Sequence, residues 1–193
     1  ALKLVLTAGT FFVLATLIEG GMQVSRGFST PPAEEKLYDY DPLFGWKTKP
    51  NLNTTVIREG RRIPLATNSK GLRGPEIPYP PLPGERRVLI VGKSFAQAVG
   101  VRFEELFSEQ LKVLLAREIA GPVQVINTGT AGHSTDQQLL LFREEGIRYL
   151  PDLTIVMFHD NDVWYNNQDY FFDKAKPRFR KSGGRLVLTG TPV

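Results

Sequence analysis

The sequence contains no cysteine, which excludes a disulfide framework, a thiolate metal site and a cysteine nucleophile, and leaves the redox compartment open. Histidine is almost as scarce, with His133 and His159 the 2 examples in 193 residues. Charge of one sign is nowhere gathered: 24 Lys and Arg lie scattered among 20 Asp and Glu. The formal net charge of +4 therefore forms no stripe that would follow a phosphate backbone, and no nucleic-acid partner is expected. Internal repeats and low-complexity tracts are missing as well. With 41% hydrophobic and 23% charged residues, the chain can bury one ordinary core, so one globular domain with appendages is expected.

One long hydrophobic run is present. "ALKLVLTAGTFFVLATLI", residues 1 to 18, carries a single charge at Lys3 and comes close to the roughly 20 apolar residues that cross a bilayer as a helix. No convincing A-x-A-like cleavage site precedes Ser25, so residues 1–24 are expected to be an uncleaved membrane anchor. That places the remainder at the cell envelope, facing the periplasm or the exterior. Residues 25–85 hold most of the 14 prolines, which rules out long helices there. Tyr38, Tyr40, Phe44 and Trp46 give the same stretch more aromatic surface than a solvated tether uses. It is expected to pack along the core domain, residues 86–193.

Beyond Glu85 the pattern becomes regular. "RVLIVG" (87–92), "PVQVIN" (122–127) and "PDLTIVMF" (151–158) are short β-branched runs, separated by segments of helical period at 103–119 and 135–149. Such alternation predicts a parallel sheet covered on both faces. In the first helical segment Phe103, Leu106, Phe107, Leu111, Leu114 and Leu115 fall near helical spacing and are expected to face the sheet.

Ligands of such sheets gather at the carboxyl ends of the strands. The first run ends at Gly92-Lys93-Ser94, the second at "NTGTAGHST" (127–135), and the third at "HDND" (159–162). A phosphate-cradling loop requires a glycine five residues before the Gly-Lys pair, and position 87 is Arg. A serine at a strand-to-helix turn has two uses: an ordinary helix N-cap, or a nucleophile beside oxyanion donors. Gly132 offers a backbone amide for the second use and Asn161 a side-chain amide.

At these positions the chain resembles a known family. "VLIVGKSFAQAVGV", "VINTGTAGHSTDQQLLLFREEGIRYLPDL" and "VMFHDNDV" are similar to the first three sequence blocks of the SGNH, or GDSL-type, hydrolases. "YDYDPLFGW", "KPN" and "NSKGLRGPE" resemble the segment that precedes them in membrane-anchored bacterial members. The resemblance implies a flavodoxin-like three-layer α/β/α sandwich and hydrolysis or transfer of ester-linked acyl groups on a small molecule, lipid or carbohydrate, without a cofactor. It makes Ser94 the nucleophile and first oxyanion donor, Gly132 the second donor and Asn161 the third. No metal is assigned.

The chain departs from the family's pattern in two places. Lys93 stands where the first block has Asp, and no late Asp-x-x-His block follows. The expectation is thus a domain incomplete at its C-terminus or a degenerate enzyme, with a noncatalytic binding module for glycans or a protein partner as the alternative. Lys93 is expected to impair catalysis rather than to serve as a base, so Lys93→Asp is expected to raise ester hydrolysis. His133 reads as a loop histidine bonded to backbone, His159 as a residue lining the cleft, and Asp162 as one that orders a turn. The polar and aromatic stretch after Tyr165 reads as a surface hairpin rather than a lid.

Overall fold

The computed structural model describes residues 37–171 and 173–193. Contacts divide the chain into residues 1–34 and 35–193, and all described residues belong to the second unit. The expected membrane anchor, residues 1–24, lies outside the described residues. Among the described residues no helix is long and apolar enough to cross a membrane, so the membrane-anchored, envelope-facing location is corrected and not carried forward.

Two hairpins open the described chain. Strands β1 (Tyr38–Asp41) and β2 (Gly45–Thr48) pair antiparallel. Their turn is closed by Asp41, whose Oδ1 accepts from the amides of Leu43 (2.9 Å) and Phe44 (3.1 Å), a carboxylate mimicking a backbone turn. Strands β3 (Asn53–Arg58) and β4 (Arg61–Ala66) form the second hairpin. Glu59 and Gly60 connect them with φ of +49° and +74°, the two-residue turn whose twist matches that of the flanking strands. Alternate residues point inward, so Val56 and Leu65 are buried with Leu37 while Ile57 faces solvent.

The parallel sheet follows. Strand β5 (Arg86–Val91) leads through the one-turn helix α1 (Ser94–Gln97) and helix α2 (Phe107–Glu118) to β6 (Val123–Asn127). Helix α3 (Thr135–Glu144) and a 3₁₀ turn at Gly146–Tyr149 then lead to β7 (Leu153–Val156). The strand order is β6-β5-β7, so β5 is central and pairs in parallel with both neighbours. Its continuous apolar run is explained by coverage on both sides. Val88 and Ile90 pack with Val125 and with Leu111 and Leu115 of α2. Leu89 and Val91 pack with Ile126 and Tyr149, with Phe142 of α3, and with Leu72, Ile77 and Tyr79 of the proline-rich segment. Phe107 and Leu114, expected to face the sheet, are exposed: α2 begins at Phe107, and the face it turns to the sheet is that of Leu111 and Leu115.

The expected flavodoxin-like three-layer α/β/α sandwich is not what forms. The parallel sheet has three strands, and its second face is shared between a helix and an extended segment. The remaining strands make four separate two-stranded antiparallel sheets, the last two being β8 (Tyr170–Phe171) with β9 (Lys174–Ala175), and β10 (Arg178–Ser182) with β11 (Arg185–Thr189). The reason lies in the connections. Runs joined by turns of a few residues pair with each other, whereas entry into a parallel sheet requires a crossover of about a dozen residues or more.

Arg87 explains why the proline-rich segment is no tether. Its buried guanidinium pairs with Glu85 and donates to the carbonyls of Pro78, Tyr79, Pro80 and Tyr149 at 2.6–3.0 Å. Prolines cannot supply donors of their own, and one planar fork with five N–H groups satisfies several carbonyls at once.

Candidate functional site

Ser94 is the first residue of α1, directly beyond the carboxyl end of the central strand. It is exposed, and no hydrogen bond engages its hydroxyl among the described residues. The short helix is held from three sides. Ala98 closes it in the left-handed conformation, φ +46°. Arg73 of the "NSKGLRGPE" segment donates to the carbonyls of Gln97, Ala98 and Val101 at 2.6–3.1 Å. Buried Gln97 accepts from Tyr38 Oη (2.6 Å) and the Ala131 amide (3.0 Å) and donates to Thr48 Oγ1 (2.9 Å). The β1–β2 hairpin thus braces the turn that carries Ser94.

The loop after β6 lies against the same helix. Asn127 accepts from the Gly129 amide and donates to Ala96 O, while the Thr130 amide reaches Gly92 O. A Cβ on Gly129 would stand 2.5 Å from the Gln97 amide nitrogen, so only glycine permits this approach. Gly132 has φ +83°, and a Cβ there would meet the rings of Phe171 at 2.9 Å and Trp46 at 3.0 Å. Trp46 Nε1 donates to Ala131 O (2.9 Å). Neither the Gly132 amide nor the Ser94 amide donates a hydrogen bond within the described residues.

His133, next in the chain, is bonded to backbone. Its buried Nε2 faces Trp46 O at 2.8 Å and its Nδ1 has no partner among the described residues. Burial holds its pKa down at about 4. The folded chain therefore stays unprotonated there over a range in which the unfolded chain, with an ordinary histidine value near 6.5, binds the proton. Stability from this residue is present above about pH 6.5 and lost as pH falls towards about 4, by a total of about 3 kcal/mol. Urea midpoints followed between those pH values should fall more steeply for the wild type than for His133→Gln. Parallel slopes would remove His133 as the cause.

The third loop joins β7 to the one-turn helix α4 (Asp162–Tyr165). Lys93, between Gly92 and Ser94, turns its side chain inward. Its Nζ donates to Asp162 Oδ1 (2.9 Å) and to Asn161 Oδ1. Asp162 is wholly buried, and its Oδ2 accepts the His159 amide (3.0 Å), the turn-ordering role its position predicted. Asn161 itself is exposed. His159 stacks on Phe95, the residue after Ser94, with ring centroids 5.6 Å apart, and its Nδ1 contacts Asp160 at 2.6 Å.

Ser94, Gly132 and Asn161 thus follow the carboxyl ends of three adjacent strands, and Lys93, the residue before Ser94, holds Asn161. The bracing roles of Arg73 and Gln97 were not read from the sequence. Arg73 belongs to the "NSKGLRGPE" segment, but its targets are carbonyls 24 to 28 residues away. Compared with known proteins, the chain matches no protein-family model and no curated protein.

Proposed function

We propose that the chain is a serine-dependent hydrolase or transferase of ester-linked acyl groups, related to the SGNH, GDSL-type, enzymes. One observation supports this reading: the exposed, unengaged Ser94 hydroxyl lies just beyond the central parallel strand, and the loops after the two flanking strands carry Gly132 and Asn161. Ser94 Oγ attacks the acyl carbonyl carbon and passes its proton through solvent water to the departing alcohol oxygen. The carbonyl π pair moves onto oxygen, and the amides of Ser94 and Gly132 with the Asn161 side chain stabilise that oxyanion. Collapse expels the alcohol, and water or an acceptor alcohol then takes the acyl group. Esters on a carbohydrate or lipid are the substrate class. His159 stacks on Phe95, the residue after Ser94.

A second reading, a noncatalytic module that binds such esters, is favoured by the lack of any hydrogen bond from Ser94 Oγ to an imidazole or carboxylate among the described residues. A fluorophosphonate probe with peptide mapping separates the two. The enzyme reading expects one adduct, on Ser94, absent from Ser94→Ala. Reversible binding of an acylated oligosaccharide without any adduct would support the module and sink the enzyme.

A further inference from the structure

We infer that Lys93 is a positioning residue: it fixes the Asn161 side chain so that the amide nitrogen, never the oxygen, faces outward, where the acyl-transfer reading has the oxyanion. The functional consequence rests on the acyl-transfer reading above; the lock itself does not.

The two residues at the turn after β5 part company. Ser94 is exposed, while the Lys93 side chain is 9% exposed and reaches the loop after β7. There it meets two acceptors, Asp162 Oδ1 at 2.9 Å and Asn161 Oδ1. An ammonium has donors only, so the amide atom facing it must be oxygen. The two ends of an asparagine amide are nearly the same size, and without such a partner the group can turn over and present either. With Oδ1 held by a cation, the outward edge of Asn161 is its NH₂. The bond is charge-assisted, and electron density drawn towards Oδ1 makes the Nδ2–H groups better donors.

Stability alone does not account for the charges. A buried ion pair is often no better for stability than a well-packed apolar pair of the same volume. An apolar pair at 93 and 162, however, would leave the Asn161 oxygen unheld. Asp162, 0% exposed, neutralises Lys93 and through Oδ2 anchors the His159 amide, so the cation is fixed from below and Asn161 from the side. An Asn161 turned the other way would aim lone pairs at a developing oxyanion. One lost oxyanion donor corresponds to a rate loss of about 10²–10³.

The test uses the full chain and the variant Lys93→Met/Asp162→Asn, which removes both charges together while leaving an acceptor for the His159 amide. Thermal melting first establishes that the variant is folded, and Lys93→Arg serves as a second, charge-conserving variant. In the first measurement, side-chain amide NMR follows the rotation of the Asn161 NH₂ group. Donation to Oδ1 strengthens the partial C–N double bond, so rotation is expected to be several-fold faster in the double variant than in the wild type or Lys93→Arg. Equal rates in folded proteins overturn the lock, whether or not Ser94 reacts. In the second, labelling of Ser94 by the fluorophosphonate is expected to slow by about 10²-fold in the double variant. Labelling at the wild-type rate overturns the positioning role. If wild-type Ser94 takes no label, the acyl-transfer reading fails, and the amide rotation still decides whether Lys93 holds Asn161.

Discussion

Lys93→Asp is expected to destabilise the domain strongly rather than to activate it. Restoring the Asp that the resembling enzymes carry before their serine leads, from sequence, to the opposite expectation. The structure replaces that expectation, because the Lys93 ammonium sits 2.9 Å from Asp162 Oδ1 and both side chains are buried. The substitution would set two carboxylates against each other where water cannot screen them. Removing one partner of a buried pair costs about 3–5 kcal/mol, and the new repulsion adds to that. A domain of this size is held by roughly 5–15 kcal/mol, so the variant should lose most of its margin. Urea unfolding followed by circular dichroism measures it. The exchanged pair Lys93→Asp/Asp162→Lys should recover part of the loss, since it restores opposite signs but not the geometry. A single-variant midpoint equal to that of the wild type would mean that the pair contributes nothing.

The second large effect is expected at Lys176. Its ammonium is fully buried, contacts Asp136 Oδ2 at 2.5 Å and donates to the carbonyls of Tyr165 (3.2 Å) and Pro177 (3.0 Å). Asp136 in turn accepts from Ser134 Oγ and from the Gln137 amide, both at 2.7 Å, at the start of α3. One cation therefore fastens the segment that enters β10 to the helix behind the Gly132 loop. Lys176→Ala strands a buried carboxylate and removes the donor to the Pro177 carbonyl, and about 3–5 kcal/mol of destabilisation is expected. Limited proteolysis should then cut within residues 166–190 well before the rest of the chain. Lys176→Met/Asp136→Asn, which removes both charges and leaves the helix start an acceptor, should restore much of the midpoint. Cutting at the wild-type rate in Lys176→Ala would show that the segment is held by other contacts.

The strands that carry the candidate site were legible before any coordinates. The β-branched runs at 86–91, 123–127 and 153–156 are strands, and their polar ends carry Ser94, Gly132 and Asn161. His133 was read as a loop residue bonded to backbone, and Trp46 O is the backbone group it meets. The fold class was not legible to the same degree. Alternation in 53–66 marks strands, yet nothing in a run of alternating residues states whether it joins a central sheet or closes on its neighbour. The Glu59-Gly60 turn decided it, by permitting positive φ at two successive positions.

By itself, then, the sequence determined what depends on consecutive residues: where strands and helices begin, which positions follow a strand, and which turns demand glycine. Periodicity and backbone conformation are local, so a single chain displays them without its fold. Tertiary structure alone decided the partners of the buried charges. Lys93 and Asp162 stand 69 residues apart and Lys176 and Asp136 stand 40 apart. In the sequence each is an ordinary charged residue with no mark of burial. A charge becomes a lock only when another segment excludes water from it and supplies the opposite sign within about 3 Å, where the low local dielectric makes the pairing strong and its loss costly.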